Sequence, residues 1–583
     1  MRYLWFLAVS TVFLVGCSKS GTETGPQTKN QELASPAIVA DVVYTNGKIY
    51  TVNDAQPWVE AVAIKDGAFV VVGSNADVAA VTDNATDVVD LGGRMAMPGL
   101  VDVHNHMTSL SLAKSNLSLS NPNDQDAMLA DIKAFAEANP DLSYVRGEAW
   151  NMGVFPNDSP TKDLLDAIVP DRPVYLMSQT GHEAWVNSKT LAMIGINADS
   201  EQTSVLKWDV DPDTNEPTGN VREYVLGLIE QALDPADPER LAPAIQEIVS
   251  GLSANGFTSL KLAEGEIPWV QALNSLDEKG DLEIRMFPSW FHRSHLASMS
   301  ADESRATAAR WEEYKSDRVY PRYVKMTYDG GPNSRTVLLF DDYSDTPGFK
   351  GTTTIPPEEL ADDMTYFNGL GLGMIVHVMG DSSAEQLVGA FEQVRERNGD
   401  NGAPLHLSHA LMTQPAEIER LSKISDSCID FIALQYPHPS ITGSFVPPIG
   451  EDRYQTFLNA RTAADSGMPF AFGSDWPSVL EPNLNGFFQI QAWMTRVDPS
   501  NPDSGTLNID QALTLEQAIY GYTKGGIGCL GFDWPDKLGS IEAGKLADFI
   551  VIDRNIFEIP TEELKETKVD LTIVGGEVVY SRN

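Results

Sequence analysis

The sequence predicts an α/β protein: a large core of parallel βαβ units, joined to a smaller β-rich unit assembled from both ends of the chain. Three patterns carry this reading. From about 97 to 534, apolar strand-like runs alternate with helical stretches. Short β-runs split by turn dipeptides fill about 38–96 and return at about 535–583. Several of the middle runs also end on His, Lys or Asp, at the strand ends where (β/α) barrels keep their active sites.

At 583 residues the chain is long enough for one large core and a satellite. Its 82 Asp and Glu against 41 Lys and Arg give a formal charge of −41, a field that repels phosphate backbones, so a nucleic-acid partner is not expected. There are 3 cysteines and no Cys-x-x-Cys pair, so a thiolate zinc site or disulfide framework is not expected either. Cys428 and Cys529 are close enough in chemistry to bridge, but buried free thiols are the expectation.

Taken in order, Arg2 and the apolar stretch Leu4 to Val15 read as an export signal too short to span a bilayer. It closes on Leu14-Val15-Gly16-Cys17, which resembles the lipobox of bacterial lipoproteins. That resemblance implies a signal over 1–16, lipidation at Cys17 and a periplasmic enzyme anchored by lipid. Ser18 after the cysteine implies outer-membrane sorting. Residues 17–37, rich in Ser, Thr, Gly and Gln, read as a flexible tether.

The next strands are Asp41 to Tyr44, Val59 to Ile64 and Phe69 to Val72, punctuated by Asn46-Gly47 and Asp66-Gly67. Lys545 to Asp553, Leu571 to Val574 and Glu577 to Tyr580 complete the set, and together they suggest one composite β-sandwich. In the middle, strands are expected at Pro173 to Met177, Thr258 to Leu262, Arg285 to Pro288, Tyr323 to Thr327, Met374 to Val378 and Phe470 to Phe472. Asp381-Ser382-Ser383 opens a helix to about Arg397. The stretch 107–250 holds too much chain between two core strands and reads as an insertion.

The chemistry gathers at strand ends. Leu100-Val101-Asp102-Val103-His104-Asn105-His106 puts two imidazoles on one side of an extended chain, since side chains two apart share a face. Tyr323-Val324-Lys325-Met326-Thr327 carries a lysine inside an apolar run, and Met374-Ile375-Val376-His377 ends on a histidine. Leu405-His406-Leu407-Ser408-His409 offers two histidines that face opposite ways if extended, and Phe470 to Trp476 delivers Asp475. The order His-x-His, Lys, His, His, Asp is hard to obtain from packing alone. No Gly-x-Ser-x-Gly elbow is present, which weakens a serine-hydrolase reading.

On these residues the chain resembles the amidohydrolase superfamily and, within it, the YtcJ-like (amidohydrolase 3 type) branch. The resemblance spans roughly Asp41 to Tyr580. It includes Met97-Pro98-Gly99 to His106, Val169-Pro170-Asp171-Arg172-Pro173-Val174, and Gly181-His182 with Trp185-Val186-Asn187-Ser188. It continues through Val324-Lys325, Asp329-Gly330, Ser334-Arg335-Thr336, His377 with Gly380-Asp381, Gly473-Ser474-Asp475-Trp476-Pro477 and Gly544-Lys545-Leu546-Ala547-Asp548. One departure is Ser408, where the branch carries an acid, which puts the expected support of His409 in doubt.

The resemblance implies a distorted TIM (β/α)8 barrel and hydrolysis of a C–N bond in a small amide or N-acyl substrate. His104, His106 and Asp475 would hold one divalent metal, His377 and His409 a second, and Lys325, carboxylated by CO2, would bridge them. Nitrogen and oxygen ligands without thiolate suit Zn²⁺, then Mn²⁺ or Fe²⁺. Metal lowers the pKa of bound water from about 15.7 to roughly 7, which at about 1.4 kcal/mol per unit is on the order of 12 kcal/mol. The metals, rather than a side-chain nucleophile, would therefore carry the reaction, with Asp475 moving the proton.

Trp150, His182, Tyr328 and Arg335 are the candidate substrate contacts, His182 also as a catalytic group, and Asp381 reads as a helix cap. His292, His295, His406 and His438 stay unassigned. Left open are a one-metal site with unmodified Lys325 paired to a carboxylate such as Asp329, esterase or isomerase chemistry on the same fold, and a binding lipoprotein without turnover. A homodimer is the one protein partner left open.

Overall fold

In the computed structural model the described residues are 38–582, apart from 108–116, 121–123, 151, 156–159, 180, 204–205, 234–236, 294–298, 435, 438–444 and 477–483. The export signal, Cys17, the tether, His295 and His438 lie outside them.

Strands from near both ends of the described residues share a sheet. One sheet orders Ala68–Gly73, Ala61–Lys65, Val42–Thr45 and Asp87–Asp90; a second orders Glu577–Ser581, Val569–Val574, Phe549–Ile552, Met95–Pro98, Lys48–Tyr50 and Trp58–Val59. Alternation along these strands sends Tyr44, Val62, Ile64 and Phe69 from the first sheet and Ile49, Ala96, Phe549, Val551 and Ile573 from the second into one apolar core. Tyr44 meets Phe549 edge to face at 5.0 Å.

Met95–Pro98 then runs through Gly99 straight into the central strands, where a Cβ at residue 99 would lie 2.2 Å from the Thr258 side chain. The central strands are β1 (Leu100–Asn105), β2 (Phe257–Leu262), β3 (Arg285–Phe287), β4 (Ser289–Phe291), β5 (Tyr323–Thr327), β6 (Gly373–Val378), β7 (Leu405–His409), β8 (Ser427–Ile432) and β9 (Phe470–Gly473). They form two parallel segments, β3-β2-β1 and β4-β5-β6-β7-β8-β9. Pro288, which has no N–H to donate, separates β3 from β4. Past β9 the backbone returns to β1: Asp475 N–H donates to His104 O at 2.8 Å and His106 N–H to Trp476 O at 2.8 Å.

Helices follow the strands, among them Ile267–Lys279, Pro357–Gly369, Asp381–Asn398 and Gly486–Thr495, and their apolar faces cover the sheet in one large core. Strands buried on both faces read as continuous apolar runs, which is why most were visible in sequence. β8 was not, because Asp430 interrupts its run Ser427–Ile432. Val174–Ser178, expected among the core strands, belongs instead to a separate six-stranded sheet built from strands between Leu117 and Glu223, where it lies between Glu183–Val186 and Val145–Trp150.

The cysteine expectation needs correcting. Cys428 and Cys529 are buried as anticipated, but they are bonded, joining β8 to helix Lys524–Leu530 with Cα atoms 5.3 Å apart. The pairing depends on two segments 101 residues apart meeting, which spacing alone does not reveal. Closing so long a loop restricts the unfolded chain, so Cys428→Ala/Cys529→Ala is expected to lose about 2–4 kcal/mol, read from the urea midpoint.

Candidate metal centre

The strand register puts the expected residues together. Lys325 pairs with Ile375 across β5 and β6, and His377 with Ser408 across β6 and β7, so adjacent strands present their functional ends at one level. The backbone closure from β9 to β1 brings Asp475 beside His104 and His106. Asp475 Oδ1 lies 3.5 Å from His104 Nε2 and 3.4 Å from His106 Nε2, and the two imidazole nitrogens are 3.3 Å apart. One ligand atom from each of the three residues fits within 4.8 Å of the others. The His409 ring lies 4.3 Å from that of His104 and 4.4 Å from that of His377, and Lys325 Nζ is 2.9 Å from His104 Nε2.

Strained backbone holds part of this cluster. His409 (φ 71°) and Asp475 (φ 52°) both sit in the left-handed region, a conformation that costs about 1–3 kcal/mol and persists where surrounding structure enforces it. Gly473 leaves the room: a Cβ there would sit 2.3 Å from His104 Cβ. Gly473→Ala is therefore expected to push His104 aside and weaken divalent-metal binding by about 10–100-fold, measured by chelator competition.

Burial and neighbouring charge set the protonation states. Burial, helped by the Lys325 ammonium, pulls His104 down to about 4. For His106 burial acts the same way, but its bonds to Asp475 and Glu264 (3.2 Å) outweigh it and raise the group to about 9. Burial works against the Asp475 carboxylate, yet His106 and the nearby positive charges hold it below the usual range. Burial brings Lys325 down to about 8. Among the described residues no carboxylate lies within 4.0 Å of its amine, so the pairing with Asp329 is not made. Asp329 instead accepts from Met379 N–H (3.0 Å), Gly380 N–H (2.9 Å) and the Ser383 hydroxyl. It also lies 3.7 Å from His377 Nε2.

These residues suit divalent metal. The donors are nitrogen and oxygen, and buried His409 Nδ1 has no hydrogen-bond partner among the described residues. An unbonded imidazole nitrogen in a dry site is costly unless something else takes its lone pair.

The expected substrate contacts divide. His182 reaches the site, its ring 5.5 Å from that of His377 and its Nδ1 3.2 Å from Glu223 Oε2. Burial would discharge it, but Glu223 outweighs burial and raises its pKa. Trp150 is fully buried in a separate apolar core with its N–H on Leu176 O at 2.8 Å. Tyr328 is equally buried and its hydroxyl donates to Gln386 Oε1 at 2.5 Å. Arg335 turns to the surface and pairs with Asp345 at 2.5 Å. In each case a partner within the protein takes the polar group that was expected to meet substrate. Asp381 is not the helix cap the sequence suggested: Gly380 holds that position with no side-chain cap bond, and Asp381 is the first helical residue, its carboxylate accepting from Phe340 N–H and Ser382 N–H.

Four carboxylates went unnoticed in the sequence: Asp102, Glu223, Glu264 and Asp430. Asp102 accepts from Ser474 N–H (3.0 Å) and Oγ (2.6 Å) and from Asn105 Nδ2 (3.0 Å), tying β1 to the residue before Asp475. A charged residue inside an apolar run was the available signal for Asp102 and Asp430, and a strand end for Glu264. Glu223 had none.

Parallel strands thus present buried histidines and an aspartate at one end, a nitrogen and oxygen donor set able to hold a divalent ion. The amidohydrolase family's sequence profile matches residues 87–580, and the chain belongs to that family. It is 24% identical over 578 residues to the protein LONG AFTER FAR-RED 3 of Arabidopsis thaliana, covering 94% of this chain and 93% of that one. It is 23% identical over 553 residues to the N-substituted formamide deformylase of Arthrobacter pascens, covering 93% and 98%. Among solved structures, an uncharacterized metal-dependent hydrolase from Pyrococcus horikoshii OT3 superposes with a TM-score of 0.70 at 21% identity, over 89% of this chain and 99% of that one.

Proposed function

We propose that this chain hydrolyses the C–N bond of a small amide or N-acyl compound at a two-metal site. That site would lie at the mouth of a distorted (β/α)8 barrel flanked by a composite β-sandwich. The observation that carries the reading is the convergence of His104, His106 and Asp475 within 4.8 Å, with the His409 ring 4.3 Å from that of His104 and the His377 ring edge-on to His409 at 4.4 Å. The formamide deformylase relative supports the choice of bond.

His104, His106 and Asp475 would hold one ion and His377 and His409 the other, with Lys325 as the carboxylated bridge. When bound, such ions supply an acidified water and a Lewis acid for the scissile carbonyl. Lys325 is suited to carboxylation because it is buried and, at a pKa of about 8, keeps roughly a tenth of its amine neutral at pH 7. Asp475 Oδ1 is the atom placed to take a proton and return it to the leaving nitrogen. His182, held by Glu223, is placed to hydrogen-bond the substrate.

One observation favours a one-metal variant: His377 and His409 fall outside the tight three-ligand group. Metal analysis separates the two, at two equivalents per chain or one. The function is tested on a panel of formamides, N-acyl amino acids and esters with metal-replete protein. Cleavage of amides is expected; cleavage of esters alone, or of nothing, overturns the C–N reading, and the second outcome favours a binding protein.

The proposal includes export and lipid anchoring at Cys17 on the periplasmic side of an outer membrane, supported by the sequence of residues 1–17 alone. No helix among the described residues is long and apolar enough to cross a membrane.

A further inference from the structure

Behind the candidate ligands lies a second, fully buried polar group that none of the expected chemistry uses: Lys261 of β2, His406 and Ser408 of β7, and Asp430 of β8. Lys261 Nζ is 2.8 Å from His406 Nδ1, His406 Nε2 is 2.6 Å from Asp430 Oδ2, and Ser408 Oγ is 2.8 Å from the same oxygen. Asp430 Oδ1 accepts the backbone N–H of His409 at 2.9 Å, and Ser408 Oγ is 2.5 Å from His104 Nδ1.

Donor and acceptor counting orders these contacts. An ionised carboxylate only accepts, so the single Ser408 proton goes to Asp430. Ser408 Oγ must then accept from His104, which fixes the proton on His104 Nδ1 and leaves Nε2, 2.9 Å from Lys325 Nζ, without a proton. Nε2 is the nitrogen facing His106 and Asp475. The other oxygen of the same carboxylate holds the left-handed backbone of His409 in place.

We propose that Asp430 is the positioning residue of the metal centre: through Ser408 it fixes the tautomer of His104, and through the His409 N–H it fixes the approach of a second ligand. One carboxylate on β8 thus serves ligands on β1 and β7. Ser408 is the intermediary for His104, not a lost partner of His409.

The inference rests on the metal-centre reading above. Its test is Zn²⁺ affinity by chelator competition, with fold checked by circular dichroism and urea midpoint. Asp430→Asn is expected to weaken Zn²⁺ binding by about 10–100-fold, the usual effect of losing a ligand's outer partner. Ser408→Ala, a smaller change that serves if Asp430→Asn does not fold, should weaken it by about the same factor. The double variant should lose less than the product of the two, because both cut one chain of contacts. If either single variant folds and binds Zn²⁺ as tightly as the parent, or if the two losses multiply, Asp430 does not act through Ser408. If the unaltered protein binds no divalent ion, the metal-centre reading itself fails, and the two failures are distinguishable.

Discussion

Asp475→Asn is expected to lower kcat by about 10²–10⁴-fold, the usual weight of a general acid–base group, while the chain stays folded. The side chain changes by one atom, and asparagine tolerates the left-handed backbone (φ 52°) as readily as aspartate does. The backbone N–H that closes on His104 O is untouched. What disappears is the anionic oxygen 3.4 Å from His106 Nε2 and 3.5 Å from His104 Nε2, and with it the capacity to carry a proton. Steady-state kinetics on the best substrate of the panel, paired with metal analysis, provide the check. A kcat within threefold of the parent at equal metal content would remove Asp475 from the proton path.

The largest expected effect on stability lies far from the site. Arg285 of β3 and Asp548, which immediately precedes strand Phe549–Ile552, form a buried pair with bonds of 2.7 and 3.0 Å. Asp548 Oδ1 also accepts the Gly575 N–H at 2.7 Å. The pair joins the central strands to the terminal sheet, and removing one charge leaves the other in a dry environment. Arg285→Met is therefore expected to cost about 3–5 kcal/mol, seen as a lower urea midpoint with unchanged slope. Arg285→Met/Asp548→Leu should recover much of that loss, since an apolar pair replaces an orphaned charge. If the double variant is no better than the single one, packing rather than charge dominates at this junction.

The sequence was legible where a residue's position follows from its place on a strand. His104, His106, Lys325, His377, His409 and Asp475 each sit in or beside an apolar run, and such runs were legible because these strands are buried on both faces. It was not legible where the neighbours of a side chain depend on which distant segment arrives beside it. Trp150 and Tyr328 carry groups suited to a substrate, but Leu176 and Gln386, far off in sequence, satisfy them. Asp430 and the Cys428–Cys529 bond were hidden for the same reason: their partners are brought by register and by helix packing, not by spacing. Ser408 was noticed as a departure, but its consequence could be read only once Asp430 was seen behind it.

The two hydrogen bonds that join the end of β9 to β1 are made by the backbones of His104, His106, Asp475 and Trp476. The contact of β9 with β1 and the gathering of the three candidate ligands are thus made by the same residues. A chain with β9 parted from β1 would carry every one of those side chains and still present no place for an ion, so ion binding is expected to vanish together with tertiary order rather than decline ahead of it.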